Sequence, residues 1–311
     1  MKCKYLILLY LGIFSCTSHY EPVKNITLSW TSYRNGQFDS EGIHLYSGKN
    51  SKIPLKAFYA EITLTSPNIE VEVVCGSDDD LKETPSEIAD RLDACLVVNG
   101  GFFLMDKNPA RHIGLLKIKD STISAPLLSV IRNGERYYTT RGTIGFKNKT
   151  MDITWVSGRN DTLYSFQESL NNQVNNPPVI LDFKKGNYWE VESAISGGPV
   201  LVQNNEIFIT DDEEVFFGSK IPEVHPRTAI GYTEDRKLII LVVDGRQVSS
   251  RGAYLEELAQ IMVNLNCVEA LNLDGGGSSA LVVNNQLINK PSGTSMEREV
   301  MSAIAVKCYE N

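Results

Sequence analysis

The sequence predicts an α+β fold with a mixed, strand-rich sheet core and a few helices, and three observations carry that prediction. Short apolar segments with two-residue alternation dominate the chain. Only two segments have convincing helical spacing and caps. Helices intervene irregularly between strands, with no internal repeat and no linker inside the body of the chain, which disfavours a regular βαβ array.

In chain order, Tyr59 to Leu64 and Ile69 to Val74 alternate about Ser66-Pro67-Asn68 and read as a hairpin. Pro85 to Leu92 reads as a short helix, with Thr84 as N-cap, Pro85 at its first position and Glu87 completing a capping box. Cys95 to Val98 is an apolar strand ending at Asn99-Gly100-Gly101. Gly142 to Phe146 and Met151 to Val156 read as strands, Ser165 to Gln173 as a helix, and Asn171 to Pro178 as a loop. Ala194 to Val202 carries Ser196-Gly197-Gly198-Pro199 into a strand. Thr228 to Tyr232 and Leu238 to Val243 form a hairpin that ends at Asp244-Gly245-Arg246. Leu255, Leu258, Ala259, Met262, Val263 and Leu265 place a helix over residues 253–266. The strand Ala270 to Leu273 then runs into Asp274-Gly275-Gly276-Gly277-Ser278-Ser279, followed by a hairpin at Asn284-Asn285 and a last strand, Ala303 to Lys307.

Ahead of this body, Lys2 and Lys4 precede an apolar run from Tyr5 to Phe14 that is too short to span a bilayer, the pattern of a signal peptide. The run ends Ile13-Phe14-Ser15-Cys16, which resembles a bacterial lipoprotein cleavage site with Cys16 as the lipidated residue. The expected organisation is a signal peptide over 1–16, a tether and N-terminal segment over 17–58, and one domain over 59–311. Its expected location is outside the cytoplasm, anchored by lipid to a membrane. Cys75, Cys95, Cys267 and Cys308 then remain, as two bridges in any of three connectivities or as buried thiols; spacing does not choose.

With 30 basic against 38 acidic side chains and a formal net charge of -8, the 311-residue chain has no basic excess for a phosphate backbone, so nucleic acid is excluded as the expected partner. Familiar catalytic templates fail as well. Gly275-x-Gly277-x-x-Ala280 runs into a strand where a dinucleotide fingerprint needs a helix. Gly276-x-Ser278-x-Ala280 lacks the last glycine of a nucleophile elbow. His19, His44, His112 and His225 have no zinc spacing, and the acidic runs Asp78 to Asp80 and Asp211 to Glu214 lack the calcium-loop glycine.

Three glycine-rich corners remain, each at the end of an apolar strand: Asn99 to Gly101, Asp244 to Arg246, and Asp274 to Ser279. Any one reads equally as a tight turn, but three consecutive glycines lose too much chain entropy to be kept for a turn alone. Glycines at strand ends let amide groups approach an anion or sugar while a carboxylate is held beside them. Arg227, Arg246 and Arg298 add guanidinium forks suited to phosphate, and Glu257 opens the second helix.

Pro226-Arg227-Thr228-Ala229-Ile230-Gly231, Asp244-Gly245, Arg251-Gly252, Glu257 to Ala259 and the string Leu271 to Ser279 together resemble the phosphodiester glycosidase family. Asn99 to Phe103 and Ser196 to Pro199 match in the same order, so the resemblance runs from about Tyr59 to the C-terminus. It implies hydrolysis of a sugar joined through its anomeric carbon to a phosphodiester, of the N-acetylglucosamine-phosphate-sugar type, releasing free sugar and a phosphomonoester. The implied catalytic set is Asp274 as nucleophile or base, with Glu257 or Asp244 as its partner. The implied phosphate and sugar contacts are Asn99, Gly100, Gly198, Arg227, Thr228, Arg246, Asn272, Gly275, Gly276, Gly277, Ser278 and Ser279. No step demands a metal or other cofactor. Two other readings of the same corners stay open: a surface lipoprotein that binds phosphorylated glycans without cleaving them, and a phosphodiesterase that cuts the P–O bond.

Overall fold

The computed structural model describes residues 22–33, 42–176, 180–293 and 296–309. The signal-peptide reading, Cys3 and Cys16 lie outside the described residues. The fold is α+β and strand-rich, and the pairings among the described strands are antiparallel.

The largest sheet has eight strands in the order Ser29–Ser32, Ile43–Lys49, Lys56–Thr63, Lys237–Val243, Arg227–Thr233, Cys267–Asn272, Val200–Gln203 and Glu206–Ile207. Its central strand Lys237–Val243 is apolar on both faces, and alternation divides it between two cores. Leu238, Ile240 and Val242 face a core shared with Val73, Val97 and Ile304 of the five-stranded sheet. Ile239, Leu241 and Val243 face the second helix, Leu255–Asn264, through Leu258, Ala259 and Met262. The five-stranded sheet runs Gln286–Leu287, Leu281–Val283, Leu96–Asn99, Ser302–Cys308, Ile69–Cys75. A seven-stranded sheet built about Thr150–Arg159, Arg141–Lys147 and Ser193–Ser196 closes the remaining side.

The first helix is Pro85–Leu92, and the Thr84–Glu87 capping box forms as its residues dictate. Two expectations fail. Lys56–Thr63 and Ile69–Cys75 do not form a hairpin: the first pairs with Ile43–Lys49 and Lys237–Val243, and the second with Ser302–Cys308. Ser66 to Asn68 is therefore a corner between sheets. Alternation identifies a strand but not its partner, and here long-range apolar pairing prevails over the local turn. Residues 165–173 are not helical; Thr162–Phe166 is a strand whose Tyr164 and Phe166 pack on Phe183. Aromatic and β-branched content outweighed a weak helical spacing there.

Of residues 17–58, set apart from the domain in the sequence reading, Ser29–Ser32, Ile43–Lys49 and the start of Lys56–Thr63 are strands of the large sheet. Ile26 is buried and its carbonyl accepts from Asn264 of the second helix, which draws the chain ahead of the first strand onto the same body. The four cysteines outside the N-terminal segment divide into one disulfide, Cys95–Cys308, and two thiols, Cys75 and Cys267.

Candidate active site

The fold brings several strand ends to one corner. Leu96–Asn99, Cys267–Asn272, Lys237–Val243 and Ser193–Ser196 each stop within three residues of a glycine: a pair after the first and last, a triplet after the second and the single Gly245 after the third. The buried Asn99 binds that corner together: its Oδ1 accepts from Thr228 Oγ1 at 2.7 Å and from the Ala280 amide at 3.2 Å. Its Nδ2 donates to the Asp274 carbonyl at 2.7 Å. The Asp274 amide donates to the Gly100 carbonyl at 3.1 Å, and the Gly198 amide to the Asn272 carbonyl at 2.7 Å. Asn272 Nδ2 returns a hydrogen bond to the Gly198 carbonyl at 2.8 Å, while its buried Oδ1 has no partner.

The glycines at this corner are required by crowding as well as by backbone conformation. Gly198 has φ +122°, and a Cβ there would sit 2.6 Å from Glu214 Oε2. At Gly277 a Cβ would sit 2.6 Å from Arg298 Nη2. Gly276, with φ +66°, faces Arg246, whose Nη2 would lie 3.2 Å from such a Cβ. Two exposed guanidiniums therefore overhang the triple-glycine turn. Arg246 donates to His225 Nδ1 (3.2 Å) and Ser292 Oγ (3.3 Å). Because His225 Nε2 lies 2.7 Å from the Lys220 carbonyl, that nitrogen carries the proton and Nδ1 is the acceptor. Burial, with the nearby Arg227 and Arg246 charges, lowers the His225 pKa and keeps the ring neutral.

Asp274 is the carboxylate of this turn. Its Oδ1 accepts from the Gly275 amide at 2.9 Å. Burial pushes its carboxyl up to about 6, against the opposing pull of the Ser278 hydroxyl, the Gly275 amide and Arg298. A carboxylate whose ionisation falls near neutral pH, beside two guanidiniums, is suited to proton transfer or attack at a carbon bearing an anionic leaving group.

The other two carboxylates expected here have different settings. Asp244 is buried one layer behind: Oδ1 accepts from the Lys290 amide at 2.9 Å and Asn289 Nδ2 at 3.2 Å, and Asn289 in turn donates to the Ser279 carbonyl. Asp244 thus braces the turn from beneath. Its Oδ2 is buried without a partner, and burial raises its pKa. Glu257 faces away from the glycine turn. Its carboxylate takes a bidentate bond from Arg251 at 2.6 and 3.0 Å and accepts from the Tyr254 and Val23 amides. A helix-opening acid beside an arginine is a capping group by its surroundings.

Arg227 is likewise occupied. Its guanidinium is buried and donates to the carbonyls of Ala253 (2.9 Å), Ile221 (2.8 Å) and Glu223 (2.5 Å). These bonds fasten the wall segment 221–223. Thr228 spends its hydroxyl on Asn99. Gly100, Gly275 and the buried Ser278 and Ser279 lie in the corner itself.

Sequence reasoning missed His112 and Arg141. His112 is buried against Gly101, where a Cβ would lie 2.7 Å from its Nε2. Nδ1 donates to the Gly114 carbonyl at 3.1 Å, so Nε2 is an unprotonated acceptor, and it has no partner. Burial pushes its pKa down to about 4. Neither residue sits in a motif; only the tertiary burial singles them out. Among the described residues no group of three His, Cys, Asp or Glu side chains is placed to hold a metal ion.

Comparisons with known proteins cover the part of the chain that holds the corner. The phosphodiester glycosidase family profile matches residues 93–307. Over 213 residues, 68% of this chain, the sequence is 27% identical to human N-acetylglucosamine-1-phosphodiester alpha-N-acetylglucosaminidase, and the match spans 36% of that protein. The bovine enzyme of the same name is 34% identical over 107 residues, 32% of this chain and 20% of that protein. The chain therefore spans about a third or less of the length of these relatives. Among solved structures, the catalytic domain of the zebrafish enzyme superposes with a TM-score of 0.60 at 19% identity, covering 92% of this chain and 89% of that one. A hypothetical protein from Synechocystis superposes equally, with TM-score 0.60, 18% identity and coverage of 86% and 62%. With the profile spanning more than half of the chain and its matched segment containing the Asn99, Gly198, Asp244 and Asp274 corners, this chain belongs to the phosphodiester glycosidase family.

Proposed function

We propose that this chain is a glycoside hydrolase that cleaves the bond between the anomeric carbon of a sugar and the oxygen of a phosphodiester. The observation that carries the reading is Asp274, a carboxylate raised to about 6, bonded to the Gly275 amide with the Arg298 charge nearby, at the meeting of the glycine corners. The names of the human and bovine relatives support N-acetylglucosamine as the sugar.

Water is the second substrate. The C1–O bond to phosphate breaks, a C1–O bond to water oxygen forms, and the products are the free sugar and a phosphomonoester. A phosphate leaves as a stable anion, so its departure needs charge stabilisation rather than a proton. Arg246 and Arg298 overhang the turn to supply it, with the Gly277 amide beneath, while the Gly276 amide is spent on the Pro226 carbonyl. Asp274 either attacks the anomeric carbon or takes the proton of the water that does. In this reading Asn99 and Asp244 hold the turn in shape, Asn272, Ser278 and Ser279 offer polar contacts to the sugar, and Glu257 and Arg227 secure the surrounding walls. The carboxylate at the turn favours catalysis over simple binding, because a half-buried acid repels an anionic ligand and is costly in a mere binder.

The test is an endpoint assay with an N-acetylglucosamine phosphodiester of a second sugar, run beside Asp274→Asn. Free N-acetylglucosamine plus sugar phosphate, lost in the variant, is the expected result. N-acetylglucosamine 1-phosphate would move the reaction to the P–O bond, and binding without turnover would make the protein a phosphoglycan binder.

The same reading places the protein outside the cytoplasm, held to a membrane by lipid on Cys16. It is supported by the Lys2 and Lys4 apolar leader and by the Cys95–Cys308 disulfide, which belongs in an oxidising compartment. Radiolabelled palmitate incorporated by the wild type and not by Cys16→Ser is the expected outcome.

A further inference from the structure

Beside the glycine corner, one cation is buried without an anion in contact. Arg141 is 4% exposed, and its Nε and Nη1 have no hydrogen-bond partner. Its guanidinium carbon lies 4.1 Å above the centre of the Phe216 ring. Glu214 is the opposite charge that favours it, but the carboxylate oxygens accept elsewhere: from the Gly142 and Val200 amides, Thr210 Oγ1 and Trp155 Nε1. Arg132, turned to the Phe217 carbonyl, adds a second positive charge whose field opposes that of Arg141. A guanidinium held this way is expensive in the empty protein and is relieved by an incoming anion.

The position joins this group to the candidate active site. Phe216 lies against the place where a Cβ on Gly198 would stand, and its ring centre is 5.9 Å from that of Phe102, which follows Gly100-Gly101. Gly114 connects Arg141 to His112: a Cβ there would be 3.8 Å from Arg141 Cγ, and its carbonyl holds His112 Nδ1. The partnerless His112 Nε2 thus adds a lone-pair acceptor that Gly114 links to Arg141. A guanidinium with a neutral acceptor nearby matches an oxyanion that carries a neighbouring hydroxyl, as on an acidic sugar.

We propose that Arg141, backed by Arg132 and accompanied by His112, forms a second anion subsite beside the Asp274 turn, which takes a carboxylate or phosphate carried by the substrate in addition to the scissile phosphodiester. The inference rests on the hydrolase reading for what the substrate is. A diester phosphate brings one negative charge, and Arg246 and Arg298 already face it. The Arg132–Arg141 pair is a separate positive region that one diester does not neutralise. The substrate class is therefore a phosphoglycan with at least two anionic groups.

Two measurements test it. In the first, inorganic phosphate and free glucuronate are titrated calorimetrically against the wild type, Arg141→Gln and Arg141→Lys. At least one probe binds the wild type, about tenfold or more weaker in Arg141→Gln, with Arg141→Lys between because it keeps the charge and loses the fork. Whichever probe binds better identifies the anion. No binding to the wild type, or equal binding to the glutamine variant, overturns the proposal. Removing the charge that favours the buried Glu214 carboxylate lowers the melting temperature of Arg141→Gln, so Arg141→Lys, which keeps that charge, is the folded control: binding to it as tight as to the wild type, with the fork lost, also overturns the proposal. In the second, kcat/KM is compared for N-acetylglucosamine phosphodiesters of glucose and of glucuronic acid. The wild type prefers the acidic substrate by about tenfold or more, and Arg141→Gln shrinks that preference to about twofold or less. Absence of a preference, or an equal loss on both substrates, counts against the subsite. If neither diester is turned over, the hydrolase reading fails, while the titrations still decide whether the anion site exists.

Discussion

Two regions of this protein use the same pair of residue types, a carboxylate and an arginine, and differ in whether those groups are satisfied. At the start of the second helix, Glu257 and Arg251 are bonded to each other, and Glu257 also accepts two backbone amides. At the triple-glycine turn, Asp274 meets one amide, Arg246 and Arg298 overhang the glycines, and Asn272 and Asp244 keep buried oxygens without partners. A saturated pair stabilises a fold, and an unsaturated one waits for a ligand. Residue type and local motif do not separate these cases; the hydrogen-bond inventory does.

The largest expected effect comes from exchanging function for stability between the two regions. Asp274→Asn lowers kcat by about 10³-fold, within the range for a positioned acid–base group, and leaves the melting temperature undiminished. The sign follows from its raised pKa: the ionised form is disfavoured in the folded state, a cost that sets in as pH rises from the ordinary carboxylate range through about 6. Thermal melting at pH 7.5 beside a turnover assay checks both halves.

Glu257→Ala reverses the pattern. It removes the carboxylate that holds the buried Arg251 bidentately and uncaps the helix, which costs about 3 kcal/mol of stability, read by denaturant unfolding. Per folded molecule, turnover remains within a few-fold of the wild type. A loss of turnover with intact stability would place Glu257 back among the catalytic candidates.

The pH profile sharpens the comparison next. With Asp274 acting as its carboxylate, kcat/KM falls about tenfold per pH unit below about 6 and is flat just above. The glutamine variant of Glu257 keeps the same limb.

A smaller effect is expected from Gly277→Ala. The new Cβ displaces Arg298 from the turn, and kcat/KM drops by roughly tenfold, the scale of one charge-assisted contact. Smallest is Arg246→Gln, a few-fold in KM, because this exposed guanidinium is screened by solvent.

Much of this was readable in the residues. The Thr84–Glu87 cap, the Leu255–Asn264 helix, the Arg227–Thr233 and Lys237–Val243 hairpin and the importance of the Asp274 turn follow from periodicity, capping chemistry and the entropy of three glycines. The partner of Ile69–Cys75 did not, because strand pairing is fixed by a segment more than two hundred residues away in sequence. Arg227 resembled a phosphate ligand from its neighbours Pro226 and Thr228, yet its donors close on three carbonyls contributed by loops elsewhere. Arg141 stands just ahead of the Gly142 to Phe146 strand and carried no signal of its own. Only packing against Phe216, with Glu214 claimed by four other donors, shows its unmet demand.

The most direct test of the central claim is hydrolysis of an N-acetylglucosamine phosphodiester in water enriched in ¹⁸O, with both products weighed by mass spectrometry. Attack at the anomeric carbon puts the label in the free sugar and none in the phosphomonoester, and Asp274→Asn abolishes its incorporation. Label in the phosphate, or labelled sugar formed undiminished by Asp274→Asn, would contradict the assignment of glycosidic cleavage to the Asp274 turn.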